Sequence, residues 1–173
     1  MSAERTSSDR RDARASGRVL RRHTGLLAVQ DAVLVVAVTL VLMGIAGFVP
    51  GLTSRIDAMP VAGHHSGALL FGIFEVSVLL NVLHLVVGFA GLALSRTYAR
   101  SRAYLVGGGL LFLGLWIYGL FLGSGAADVV PVNNADNWLH FGIGLTMVVL
   151  GLTLAASRVP TGADGEVLVP PEL

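Results

Sequence analysis

Apolar and polar positions fall along this chain in long blocks, not in the short periods of a water-soluble fold. Runs without a single charge extend from Ala32 to Val49, Val76 to Ser95, Ala103 to Ala127 and Asn137 to Ser157. Each is near or above the roughly 18 residues that cover the hydrocarbon thickness of a bilayer. The pattern predicts an all-α, integral membrane four-helix bundle with spans over about residues 25–49, 75–96, 103–124 and 137–157. Thr24 is placed to cap the first span, and Pro50-Gly51 stops it. Residues 1–22 and 159–173 read as disordered tails flanking a membrane domain over 23–158, the second tail broken by Pro160, Gly162, Gly165, Pro170 and Pro171. The first apolar run follows a basic stretch, as a secretory signal would. It is longer than the usual ~7–15 residues, however, and Gly47-Phe48-Val49-Pro50-Gly51 lacks a small-x-small cleavage site, so it is expected to stay as an anchor.

Between the first two spans the pattern is less regular. His64 to Ser95 as one helix would be about 48 Å long, too much for a single crossing. The expected solution is a short interfacial or re-entrant helix over Ala68–Phe74, followed by a crossing that begins near Glu75. A break at membrane depth is tolerated only where protein or water covers it.

Composition supports lipid as the solvent: 54% of the 173 residues are hydrophobic and 13% charged, and the mean hydropathy is +0.74. Cysteine is absent, which excludes disulfides, thiolate metal sites, cysteine nucleophiles and iron-sulfur clusters. All twelve basic residues are arginine. Arg5, Arg10, Arg11, Arg14, Arg18, Arg21 and Arg22 precede the first span, Arg96, Arg100 and Arg102 separate spans two and three, and Arg158 follows span four. The other two loops hold only Arg55, so the positive-inside rule puts both termini in the cytoplasm. An Arg-rich tail there attracts anionic lipid. Nucleic acid is not the expected partner, because the tail has no aromatic residue for stacking and Glu4, Asp9 and Asp12 dilute its charge. Asp31, near the inner interface, is expected to pair with the basic cluster around Arg22.

The candidate chemistry lies in a repeat. Span two contains Asn81-x-x-His84-x-x-x-Gly88, and span four contains Asn137-x-x-His140-x-x-x-Gly144, fifty-six positions later. On a helix these positions form one stripe, which must face protein, and their recurrence suggests two repeated helical hairpins related by an axis along the membrane normal. The first reading is interhelical packing, with small residues allowing close approach and Asn and His bonding across the interface. The alternatives treat His84, His140, Asn81, Asn137, Gly88 and Gly144 as a cofactor site. A b-type haem would use one His from each helix with a nearby Gly making room for the ring, although His84 and His140, counted from Ser95 and Ser157, differ in depth by about 9 Å. A quinone or lipid cavity lined by the same stripes, or a Zn or Cu ion, is the other option. His64, His65 and Glu75 are possible outer metal ligands, with Asp136 also on that side. Glu75, about 180° around an ideal helix from His84, reads as an interfacial carboxylate, and the sharper alternative is a proton-coupled carrier acting as an oligomer.

Smaller signals complete the inventory. Gly107-Gly108-Gly109 lacks the residues of a phosphate loop, and Gly119-x-x-x-Gly123 suits close helix contact within the bundle or between protomers. Tyr104 and Trp138 sit where interfacial aromatics are expected.

The segments Gly47-Phe48-Val49-Pro50-Gly51, Gly63-His64-His65-Ser66-Gly67-Ala68, Asn81-Val82-Leu83-His84-Leu85 and Pro131-Val132-Asn133-Asn134-Ala135-Asp136-Asn137-Trp138-Leu139-His140 resemble the small bacterial four-helix membrane proteins of domain-of-unknown-function family 4383. The resemblance covers about residues 25–157 and implies a bacterial inner membrane; it implies no activity. The long Arg-rich tail departs from the shorter basic start of that family. The expectation is therefore a multi-pass, non-enzymatic accessory or stress-related membrane component with no cofactor, alone or in a homo-oligomer or larger membrane complex. Its main rival is a haem-, quinone- or metal-binding protein using His84 and His140.

Overall fold

Helices form where the charge-free runs predict them. The computed structural model describes residues 28–63, 65–121 and 129–154, all within one unit over residues 27–157. The expected tails, Thr24, the Arg22 partner of Asp31, His64 and Gly123 lie outside the described residues. Four helices are present among those described: α1 (Ala28–Ala46), α2 (Val78–Leu94), α3 (Tyr98–Phe121) and α4 (Asn134–Thr153). At 19, 24 and 20 residues, α1, α3 and α4 are long and apolar enough to cross a membrane. With 17 residues, α2 is about 26 Å long, slightly short of a full crossing. Ser77 caps α2 by accepting from the Leu80 N–H at 3.1 Å. Asn133 and Asp136 form a reciprocal capping box on α4.

The helices are apolar on every side. Val35, Val86, Leu110 and Phe121 are among the many large hydrophobic side chains left exposed, the surface expected of a protein dissolved in lipid. Small and polar residues occupy the interior instead, because helices in lipid gain more from close backbone approach and hydrogen bonding than from burying aliphatic groups. α1 packs mainly on α2, and α3 on α4, giving the two expected hairpins. Within each hairpin the two helices meet through equivalent contacts. A Cβ on Gly88 would lie 2.9 Å from both the Ala37 carbonyl and the Val41 nitrogen of α1, and one on Gly144 would lie 2.8–2.9 Å from the Leu113 nitrogen and Gly109 carbonyl of α3. The buried positions Val29, Val33, Ala37 and Leu40 of α1 recur at Ser101, Leu105, Gly109 and Phe112 of α3, each seventy-two positions later. In α2 and α4, Leu80, Asn81, His84 and Gly88 recur at Asp136, Asn137, His140 and Gly144, fifty-six positions later. The duplication therefore extends to all four helices, and the sixteen-position difference in offset is a longer connection in the first hairpin.

That connection corrects one expectation. No short helix covers Ala68–Phe74; the segment is part of a three-stranded antiparallel sheet, β1 (Thr53–Ser54), β2 (Leu69–Leu70) and β3 (Phe74–Glu75), with Thr53 opposite Leu70 and Leu70 opposite Phe74. The physical reason is a two-residue period. Ala68, Leu70 and Val76 are all buried together against Ala46, Met59 and Phe74, which alternation along strands satisfies and a helix would not. Phe71 and Gly72, at φ +52° and +73°, make the reversal between β2 and β3. Phe71 is exposed, and its left-handed backbone suits asparagine better. Phe71→Asn is thus expected to raise stability by about 0.5–1 kcal/mol in a denaturation assay in detergent, and a lower stability would show that the phenyl ring contributes more than its backbone costs.

Candidate functional site

The polar stripes of α2 and α4 face each other at the centre of the bundle. Asn81, His84, Asn137 and His140 are all buried, His140 completely. The imidazole centroids of His84 and His140 are 6.0 Å apart with the rings tilted by 33°, and the α3 side chain Phe112 stands 5.8 Å from each. The depth mismatch expected from the sequence is therefore absent. α4 ends at Thr153, four residues earlier than the end used in that count, and the relative placement of the helices closes the remaining gap.

Each polar group has a definite environment. The Leu80 carbonyl, one turn back, hydrogen-bonds the His84 ring, while Nε2 has no partner among the described residues. Among those residues, neither nitrogen of His140 nor Oδ1 of Asn137 has one either. Asn81 lies against Gly47 and donates to the Met59 sulfur at 3.7 Å, and Asn137 lies against Gly119; a Cβ at either glycine would collide with the amide. These contacts repeat between the hairpins, as the duplication requires.

Gly88 and Gly144 do not flank the imidazoles. Both are directed at the other helix of their own hairpin, so the room a flat ring would need is occupied by the backbones of α1 and α3. Phe112, fully buried, closes a third side. The cavity beside His84 is about 10 Å³, lined by residues including Met43, Glu75, Asn81 and Asp136. That is about the size of one water molecule. A haem or a quinone does not fit at this pair. A larger apolar groove of about 330 Å³ opens between α1 and α4, bordered by Val35, Thr39, Trp138, Gly142 and Thr146, with no histidine in its lining.

The small sheet closes over the polar core. Asp136 Oδ2 accepts from the Asn133 N–H at 3.0 Å and from the Glu75 N–H at 2.9 Å, and Asn133 Nδ2 donates to the Ile73 carbonyl at 2.7 Å. Glu75 Oε1 in turn accepts from the Ser66 N–H at 2.6 Å. Glu75 is not on a continuous helix with His84, which would have turned it away: α2 begins only at Val78, and Glu75 lines the same cavity as His84. His65 is exposed. Among the described residues no three His, Cys, Asp or Glu side chains converge as metal ligands.

Sequence reasoning did not assign Phe112, Met43 or Asp136 to the site. Only Asp136 had a local signal, the Asn133-x-x-Asp136 capping spacing; the other two arrive through helix packing. Tyr104 is a correction. It is buried with its ring against Gly91 and the central core, because the helix opposite offers a glycine-sized recess, whereas Trp138 is exposed as expected and meets Phe141 edge-on.

Apolar helices in two equivalent hairpins around a buried polar centre define a small helical membrane protein. The chain belongs to the family described as Domain of unknown function (DUF4383), whose model matches residues 30–153. No curated protein and no solved structure matches it.

Proposed function

We propose that this protein is a non-enzymatic accessory or stress-related component of the bacterial inner membrane, crossing it four times with both termini in the cytoplasm. The observation that carries the reading is the filled polar centre: Phe112 and the hairpin backbones enclose the imidazole pair, and the adjoining cavity is one water in size. An organic substrate has no chamber at the residues that could act on it. The distribution of arginines supports the orientation, and the short α2 completes its crossing with the sheet stacked on its outer end. Anionic lipid is the partner of the Arg-rich tail, through counter-charge alone.

The absence of cysteine makes topology directly testable. With a membrane-impermeant maleimide on intact spheroplasts, Val61→Cys and Val129→Cys are expected to label, and Ser7→Cys and Thr97→Cys to label only after permeabilisation. The reverse pattern, or Ser7 and Thr97 on opposite sides, would overturn the reading. In a deletion strain with an envelope-stress phenotype, Glu75→Gln is expected to complement as well as wild type. Loss of complementation by that variant, with the protein still folded, would favour a proton-coupled carrier instead.

A further inference from the structure

We infer that the turn between β2 and β3, with Phe71 and Ile73 at its tip, is a wedge that inserts into the headgroup layer of the bilayer, where its partner is uncharged lipid. The inference rests on the membrane reading above and assigns the small sheet a contact which that reading leaves open. The first observation is an aromatic residue held at a cost. Phe71 has a left-handed backbone, φ +52°, in which a bulky side chain is a genuine outlier. Its ring is nevertheless 58% exposed, and Ile73 is 55% exposed. A backbone outlier that carries an exposed apolar pair points to a role outside the fold itself.

Hydrogen bonds fix the height of the tip. The Phe71 N–H donates at 2.8 Å to the Leu52 carbonyl, just beyond the end of α1, and the Ile73 carbonyl accepts from Nδ2 of Asn133, the cap of α4. The tip therefore stands level with the helix ends. At 19 and 20 residues, α1 and α4 are about 28–30 Å long, the thickness of the hydrocarbon layer, so that level is where acyl chains give way to headgroups. Trp138, exposed in the second turn of α4, marks the same boundary. The lipid-facing side of α1 also continues toward the tip, because Ile45 in its last turn and then Phe48, Val49 and Leu52 are all exposed. Charge is confined to the other end of the sheet. Ser54 pairs with Leu69 and Leu69 with Glu75, which puts Arg55 and Glu75 away from Phe71. No Asp, Glu, Lys or Arg falls between Asp31 and Arg55 or between Asp57 and Glu75. The tip thus gains by burying apolar side chains among headgroups and has no cation to select anionic lipid.

The test uses the full chain with both tryptophans replaced, Trp116→Phe and Trp138→Phe, reconstituted in phosphatidylcholine vesicles. A single tryptophan is then introduced by Phe71→Trp, or by Asp57→Trp as the control on the charged side of the connection. Phe71→Trp is expected to resist aqueous iodide and to be quenched about twofold more by a phosphatidylcholine carrying its quencher near the headgroup than by one carrying it at the chain end, as suits an interfacial depth. Asp57→Trp should show the opposite, quenched by iodide and by neither lipid. Adding phosphatidylglycerol should leave both patterns unchanged. Should the tryptophan-free background fail to fold, a fluorophore on Phe71→Cys in the otherwise cysteine-free wild-type chain gives the same depth reading. Iodide quenching of Phe71→Trp equal to that of Asp57→Trp would overturn the wedge. Shielding from iodide without lipid quenching would overturn it too, by showing that protein covers the tip, and stronger lipid quenching with phosphatidylglycerol would overturn the choice of uncharged lipid. In a detergent denaturation the unfolded chain keeps its phenyl ring in the micelle as the folded one does, so this contact cancels there and the gain expected for Phe71→Asn stands. The maleimide labelling above does not involve residue 71, so the topology and the wedge can fail separately.

Discussion

Gly144→Leu is expected to break the second hairpin outright. A side chain at this position meets the Leu113 nitrogen and the Gly109 carbonyl of α3 at 2.8–2.9 Å, and backbone cannot step aside as a flexible side chain can. α3 and α4 would have to separate along their whole contact, pulling Phe112 away from the imidazole pair and Asn137 from Gly119. The expected loss exceeds about 3 kcal/mol, at the upper end of what overpacking costs. Gly88→Leu should do the same to the first hairpin, where the obstacles are the Ala37 carbonyl and the Val41 nitrogen. Gly107→Leu and Gly142→Leu are the controls: a Cβ at either meets nothing within 4 Å, and their stability should stay within about 0.5 kcal/mol of wild type. Reversible unfolding in mixed detergent measures all four. A Gly144→Leu protein as stable as its controls would mean that the hairpins are not held by this contact.

Asp136→Ala should cost about 2–4 kcal/mol, the second largest effect, by removing one acceptor from two structures at once. Its Oδ2 holds the Asn133 N–H at the start of α4 and the Glu75 N–H at the end of the small sheet. Without it both donors are left part-buried and unpaired, and the sheet loses a tether to the second hairpin. Asp136→Asn keeps one oxygen and should lose less than half as much. Hydrogen exchange gives a local readout: the Glu75 and Val76 amides should lose protection in Asp136→Ala while the amides of α1 keep theirs. Uniform loss across all helices would instead assign Asp136 a global role.

The helices were legible because their signal is local and strong. Charge-free runs of bilayer length admit almost no other structure, since every backbone group in lipid must be bonded within its own segment. The paired stripes were legible for a related reason: Asn81, His84, Asn137 and His140 are too polar to face acyl chains, so their presence in apolar helices already dictates an inward orientation. The segment between the first two helices was not. Ala68–Phe74 is apolar enough for a short helix, and only the burial of alternate residues against Ala46 and Met59 makes it a strand pair.

The sequence by itself determined that this polypeptide is a membrane protein and that two amide-imidazole couples lie inside its helices, and it suggested that those helices pair as repeated hairpins. Those properties follow from residue chemistry and spacing, which act within a few turns of one helix. Only the tertiary structure decided that the two imidazoles stand side by side instead of at different depths, that Phe112 and the hairpin backbones occupy the space a flat cofactor would need, and that Met43, Glu75 and Asp136 share a cavity with His84. Each depends on the relative height and tilt of separate helices, which no local pattern encodes. They are set by where glycines let one backbone settle against another.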